Sequence, residues 1–230
     1  MTLYQYFVAI IIGYLLGSIP FAWLIVKLVT GKDVRKEGSG SVSTRNTVRT
    51  AGYFWAILTA SLDVTKGFLA AFLVRFYLTR LPAATALTAE MSIFCTALAG
   101  IGAFAGHLWM PWLGFKGGKG FAVFSGALIV LNPYGILVWW LSLPIFLIII
   151  RYSYLGGLSA TISASLLAMF FFIFGHANGI PNYYWSDWGV MVHGFGCVFV
   201  LLLRLIPDFK AMKAGEIKRW SGMKVSQWMR

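Results

Sequence analysis

Long, almost uncharged hydrocarbon stretches decide most of what this chain can become. Seven of them stand at 4–29, 53–78, 87–108, 121–131, 133–150, 155–174 and 189–206. All but the fourth approach the roughly 20 apolar residues that a membrane-spanning helix needs. Inside a bilayer every backbone N–H and C=O must find its partner within the protein, so such stretches become helices. The expected fold class is therefore all-α integral membrane, a bundle of seven transmembrane helices. The first stretch lacks a cationic leader and a small-residue cleavage site, so it reads as a retained helix and not as a signal peptide. The fourth ends at Asn132-Pro133 and is expected to begin inside the glycine-rich segment before it.

The composition agrees: 59% of the residues are hydrophobic and 11% charged, with a formal charge of +12. On a membrane protein such an excess marks the cytoplasmic loops and is no sign of nucleic acid. Lys32, Arg35, Lys36, Arg45 and Arg49 follow the first stretch, Lys116 and Lys119 the third, and Arg151 the fifth. Arg204, Lys210, Lys213, Lys218, Arg219, Lys224 and Arg230 lie at or beyond the end of the seventh, whereas the opposite side holds only Arg75 and Arg80. Seven spans with the N-terminus outside and the C-terminus cytoplasmic put every basic loop inside. The chain divides into a membrane domain, 1–207, and a basic cytoplasmic tail, 208–230, in which Trp220 and Trp228 suit an amphipathic helix on the headgroups. Cys95 and Cys197 lie in apolar runs, and His107, His176 and His193 are scattered, so neither a disulfide framework nor a metal site is expected. The pairs Gly13/Gly17 and Gly102/Gly106 have the spacing that lets helices approach closely.

Two loops on the basic side carry the polar chemistry. The first, 31–52, packs glycine, hydroxyl, amide and guanidinium groups into one connection, including Ser39, Asn46 and Arg49. Hydroxyls and backbone amides can complete an anion shell that arginine closes with two parallel hydrogen bonds. The second reads Gly114-Phe115-Lys116-Gly117-Gly118-Lys119-Gly120, a glycine-rich segment whose amides can turn toward an anion beside two cations. It is not a nucleotide P-loop, because Gly120 stands where a hydroxyl for Mg²⁺ would be needed. A basic turn lying on anionic headgroups is the plainer reading of the same residues. His107, at the end of the third stretch, either donates to a phosphate or caps and packs. Asp63 and Lys66, three apart within the second stretch, share a helical face and read as an internal ion pair that orients the site.

At these loops the chain resembles the acyl-phosphate:glycerol-3-phosphate acyltransferase family, the PlsY type of bacterial membranes. The family's Gly-Ser-Gly-Asn-x-Gly-x-Thr-Asn-x-x-Arg stands here as residues 38–49, with Ser39, Asn46 and Arg49 matching and Ser41, Ser43 and Arg45 differing. Its Gly-His-x-x-Pro and Phe-Lys-Gly-Gly-Lys-Gly stretches resemble Gly106, His107, Pro111 and 115–120, and its Gly-Ser-Ile-Pro and Asp-x-x-Lys-Gly are present at 17–20 and 63–67. The family's C-terminal His and Asn have no counterpart around Arg204 and Pro207.

The resemblance implies transfer of an acyl group from acyl phosphate to the 1-hydroxyl of glycerol 3-phosphate, giving lysophosphatidic acid and phosphate, in the bacterial cytoplasmic membrane. It implies no cofactor and no metal. Ser39, Arg49 and Lys119 are the expected catalytic residues, and Asn46, His107, Lys116, Gly117, Gly118 and Gly120 the expected substrate-binding ones. Expected partners are the two substrates and membrane lipid, with a soluble donor-producing enzyme or a membrane-complex partner as further candidates. The alternative is a non-catalytic member serving a membrane complex. A transporter for a phosphorylated solute would need an inverted repeat, and only one glycine-rich break is visible.

Overall fold

A computed structural model describes residues 4–79, 89–150, 153–177 and 188–213. The described helices are α1 (Tyr4–Gly17), α2 (Phe21–Thr30), α3 (Thr44–Ala51), α4 (Tyr53–Thr79), α5 (Ala89–Leu108), α6 (Phe121–Leu131), α7 (Pro133–Ile150), α8 (Ser153–Ala177) and α9 (Trp188–Lys213). Short 3₁₀ turns occupy Val34–Lys36 and Pro111–Leu113. Among the described residues, four segments are long and apolar enough to cross a membrane: Tyr4–Thr30, Tyr53–Leu78, Glu90–Leu113 and Trp188–Ile206. Phe121–Leu131, Gly135–Ile150 and Leu155–Phe170 are apolar but shorter. The expectations on Arg80, Arg151 and residues 214–230 lie outside the described residues. Helix α9 itself continues past residue 207 to Lys213.

The first span departs from the single helix expected over 4–29. It is broken at Ser18–Pro20, because Pro20 has no N–H to continue the ladder and adopts φ −90°, ψ 65° as it starts α2. At the break the Ile19 carbonyl accepts from Phe21 N at 3.1 Å and from Lys66 Nζ of α4 at 2.8 Å.

Helices α1 and α5 run side by side in the same direction. A Cβ at Gly13 or Gly17 would strike the backbone of Ala99 or Ala103, and one at Gly102 or Gly106 the backbone of Ile10 or Tyr14. The two small-residue motifs face each other as their spacing predicts. Helix α4 lies antiparallel to α1, with Ala9 packed near Val74 and Leu78. Helix α6 is parallel to α4: Gly67 abuts Val123, and further along Arg75 Nη1 donates to Val130 O at 2.9 Å.

The largest apolar cluster joins α5 through α9 around Phe104, Phe124 and Trp139, whereas a second ties Ala22 and Val26 of α2 to Val34 and Val42 of the first loop and Met110 and Leu113 of the second. That second cluster brings the two basic connections together.

The fourth span was expected to start within the glycine segment. Instead α6 starts after it, at Phe121, with Gly120 in the left-handed region at φ +80°. The glycine segment before its 11 residues dips into the bundle to the level of Asp63. Asp63 lies ten residues beyond Tyr53 in α4, which is about 15 Å of helical rise. Irregular backbone at such depth is tolerated only where protein surrounds it or it lines a polar cavity.

Candidate active site

The first loop is shaped by its own polar groups. Asp33 caps the Val34–Lys36 turn, accepting from Arg35 N at 3.0 Å, and its carboxylate is paired with Arg35 Nη2 at 2.7 Å. That side-chain bond holds the Asp33 carboxyl well below the usual carboxylate range. Glu37 meets Lys32 at 3.6 Å, so both acids of the loop are engaged near its start. Gly38 and Gly40 then turn the chain at φ +55° and +67°, a left-handed conformation that suits glycine. Ser43 caps α3 by accepting from Asn46 N.

Asn46 is fully buried, and its side chain closes the loop from within. Oδ1 accepts from Ser39 N at 3.0 Å, while Nδ2 donates to Val34 O at 2.9 Å and Glu37 O at 3.0 Å. Asn46 has both amide hydrogens committed to the loop, where it fixes the backbone that presents Ser39. Ser39 and Arg49 are exposed, and the Arg49 stem runs past Gly38: a Cβ there would lie 3.7 Å from Arg49 Cδ. One helical turn earlier, Arg45 has its pKa lowered first by burial and then by the charge of Arg49.

The second loop is anchored to α1. Tyr14 OH donates to Trp109 O at 2.6 Å, and Trp112 Nε1 donates to Ser18 Oγ at 3.0 Å. Gly114 and Phe115 are consecutive left-handed residues at φ +67° and +59°, reversing the chain so that Phe115 N reaches Met110 O at 2.8 Å. Gly117 N donates to Leu108 O and Gly118 N to His107 O, each at 3.1 Å.

These bonds give the two glycine amides a structural use. The amides of Gly117 and Gly118 close the last carbonyls of α5, which would otherwise be orphaned. The two glycines are needed for space: a Cβ on Gly117 would meet the His107 and Leu108 carbonyls, and one on Gly118 would meet His107 Nε2 and Val42 O. Gly120, seated on the Phe104 ring, precedes α6 without contributing a side-chain cap. The first amides of that helix have no preceding turn to bond to.

Beneath the loops Asp63, Lys66 and His107 are buried together. Lys66 Nζ lies 2.8 Å from Asp63 Oδ1 and 5.6 Å from the centre of the Phe21 ring. His107 Nδ1 lies 3.7 Å from the same carboxylate oxygen. Among the described residues no three His, Cys, Asp or Glu side chains come close enough to hold a metal ion.

The sequence-derived residues thus form two groups. Ser39, Asn46 and Arg49 belong to the first loop; Gly117, Gly118, His107, Asp63 and Lys66 belong to the second and its support. They meet where Val42 O touches Gly118. Lys116 is exposed and Lys119 half-buried on either side of the paired glycines. Of the residues that hold this arrangement, Tyr14 and Val42 had no role assigned from sequence, whereas Ser18 and Ile19 lie in the Gly-Ser-Ile-Pro motif at 17–20, whose proline frees upstream carbonyls.

Residues 7–215 match the model of a family described as glycerol-3-phosphate acyltransferase. A Zymomonas mobilis protein named glycerol-3-phosphate acyltransferase is 36% identical over 165 residues, covering 69% of this chain and 73% of that one. A Bradyrhizobium diazoefficiens protein of the same name is 40% identical over 169 residues, covering 74% and 77%. The crystal structure of PlsY, an integral membrane glycerol 3-phosphate acyltransferase in its glycerol 3-phosphate form, superimposes with a TM-score of 0.69 at 27% identity. The match covers 96% of this chain and 98% of PlsY, and the lysophosphatidic acid form of PlsY gives a TM-score of 0.68. Two cationic loops meeting inside a bundle of apolar helices, a family match over most of the chain and a shared fold together establish that this protein belongs to the integral membrane glycerol-3-phosphate acyltransferase family.

Proposed function

We propose that the protein transfers an acyl group from an acyl phosphate to the 1-hydroxyl of glycerol 3-phosphate, releasing lysophosphatidic acid and phosphate. The observation that carries this reading is the contact of the two cationic loops at Val42 and Gly118, deep beside apolar helices. A site of that kind accommodates two anions and a hydrocarbon chain at once. Arg49 and Lys116 take the acceptor phosphate, Ser39 orients the groups between the anions, and Asn46 holds Ser39 in place. Lys119 and the first amides of α6 take the donor phosphate, with Gly117, Gly118 and Gly120 giving them room to approach.

The donor is already activated, so no acyl-enzyme is needed. The acceptor hydroxyl attacks the acyl carbon, the bond from that carbon to the phosphate oxygen breaks, and the hydroxyl proton passes to a phosphate oxygen. The protein contributes proximity and stabilisation of charge moving onto the leaving phosphate. Four long and three shorter apolar helices support seven crossings of a bacterial cytoplasmic membrane. The loop cations favour an outer N-terminus and a cytoplasmic C-terminus.

Purified protein in lipid, given a long-chain acyl phosphate and glycerol 3-phosphate, is expected to release phosphate and lysophospholipid. Acyl thioesters of coenzyme A and of acyl carrier protein serve as rival donors. Arg49→Ala should raise the acceptor KM, and Lys119→Ala should lower kcat/KM for the donor. Unchanged kinetics in both variants, or turnover with thioesters alone, would overturn the assignment.

A further inference from the structure

The reaction above leaves one buried cluster without a task. Asp63, Lys66 and His107 are 3%, 2% and 4% exposed. The Lys66 ammonium is shared between Ile19 O and Asp63 Oδ1, each at 2.8 Å. His107 Nδ1 and Asp63 Oδ1 face each other at 3.7 Å, and Nδ1 has no hydrogen-bond partner of good geometry among the described residues. On the other side of the ring, Nε2 abuts Gly118, whose N–H bonds to the carbonyl of His107 itself. The imidazole is clamped between a carboxylate and the centre of the second loop.

A neutral imidazole carries its proton on one nitrogen only. With the proton on Nδ1, a donor faces the carboxylate oxygen that Lys66 also approaches. With the proton on Nε2, two lone pairs face each other in a buried site, which is unfavourable. The distance is too short to admit a bridging water, and a shift of under about 1 Å would make a normal hydrogen bond.

We propose that Asp63 is a positioning residue for the acyl-transfer reaction, acting through His107. It takes the Nδ1–H, fixes the ring, and so sets where the Gly117–Lys119 segment lies relative to the donor phosphate. Lys66 supplies the counter-charge and ties the cluster to the break between α1 and α2. The kinetic part of this inference rests on the function proposed above; the spectroscopic part does not.

The test exploits the two ends of the ring. In His107→Asn the side-chain amide occupies the place of Nδ1 and still faces Asp63, whereas in His107→Gln it reaches only the place of Nε2. His107→Asn is expected to keep donor kcat/KM within about threefold of the parent, and His107→Gln to lose about tenfold or more. The acceptor KM should move less than about twofold in both, because Asn46 holds the Ser39 loop separately. A glutamine variant as active as the asparagine one, or an acceptor KM that moves as far as the donor parameter, would overturn the proposal.

Independently, ¹⁵N-histidine NMR of the full chain in detergent, assigned by the signal lost in His107→Asn, should show the Nδ1-protonated tautomer. An Nε2-protonated ring sinks the inference whatever the turnover. An Nδ1-protonated ring in a protein that ignores acyl phosphate instead leaves this inference standing and removes the proposed donor.

Discussion

The helices that frame the site and those behind them are held together differently. Between α1 and α5, and between α4 and α6, glycines lie against the main chain of their neighbours: Gly17 on Ala103, Gly67 on Val123, Gly126 on Val64. Behind them most of the contacts are with side chains: Gly157 on the Phe121 ring, Gly194 on Ser165 Oγ, Gly196 on Ile101, with Gly156 against the Leu147 main chain as the exception. In lipid there is no hydrophobic drive between helices, so association relies on close packing and a few polar bonds. Main-chain contact fixes a helix to within less than a methyl group, because the opposing backbone cannot turn away. Side-chain contact can be remade by a rotamer change. The front half is thus built for precision and the rear half for accommodation, which suits a site with fixed phosphate ligands and variable hydrocarbon.

Substitutions can break or sharpen this contrast. The largest effect is expected at Gly118, where a methyl would wedge between Val42 O and His107 Nε2 and part the loops. Gly118→Ala should lower acyl transfer by about 100-fold while the thermal transition in detergent survives, as expected for lost alignment of two substrates. Next comes a matched pair. Gly17→Ala drives a Cβ into the Ala103 backbone and should cost about 3 kcal/mol in reversible unfolding, as overpacking does. Gly157→Ala meets only the rim of the Phe121 ring and should cost about 1 kcal/mol or less. Equal costs would erase the distinction.

Smaller still, Trp139→Phe removes the Nε1 bond to Thr161 Oγ1 at 3.3 Å and should cost about 1 kcal/mol with turnover unchanged. The least effect is expected from Asp33→Asn, whose pair with Arg35 is partly solvated and worth about 0–1 kcal/mol. The Asp33 pKa is depressed in the fold, so this contribution is present above its unfolded value near 4 and lost only in stronger acid. Melting curves of parent and variant should therefore keep a constant offset between pH 5 and 8.

Much of this organisation was legible beforehand, and what escaped has a common cause. Apolar run length located the helices, and glycine spacing located the α1–α5 contact, because both follow from properties of single segments. Asp63 and Lys66 declared themselves by the cost of burying charge. Three features stayed hidden. Helix α3 read as loop because its surface is polar, although Ser43 caps it. The break at Ser18–Pro20 was concealed within apolar sequence that hydropathy treats as continuous. The amides of Gly117 and Gly118 were assigned to a ligand, whereas the end of α5 had first claim on them. In each case the missing information was where a backbone hydrogen bond goes, which only the assembled fold decides.

The depth of the second loop has a cost on the far side of the membrane. In the seven-crossing arrangement proposed above, polar groups reaching the level of Asp63 leave the 11 residues of α6, about 16 Å, as insulation along this line. A cell that maintains an ion gradient cannot let such a recess become a leak. The packed rings of Phe104, Phe124 and Trp139, immediately below Gly120, close it like a stopper. Their bulk therefore answers to permeability as much as to stability, and shrinking them would be felt first as lost electrical tightness.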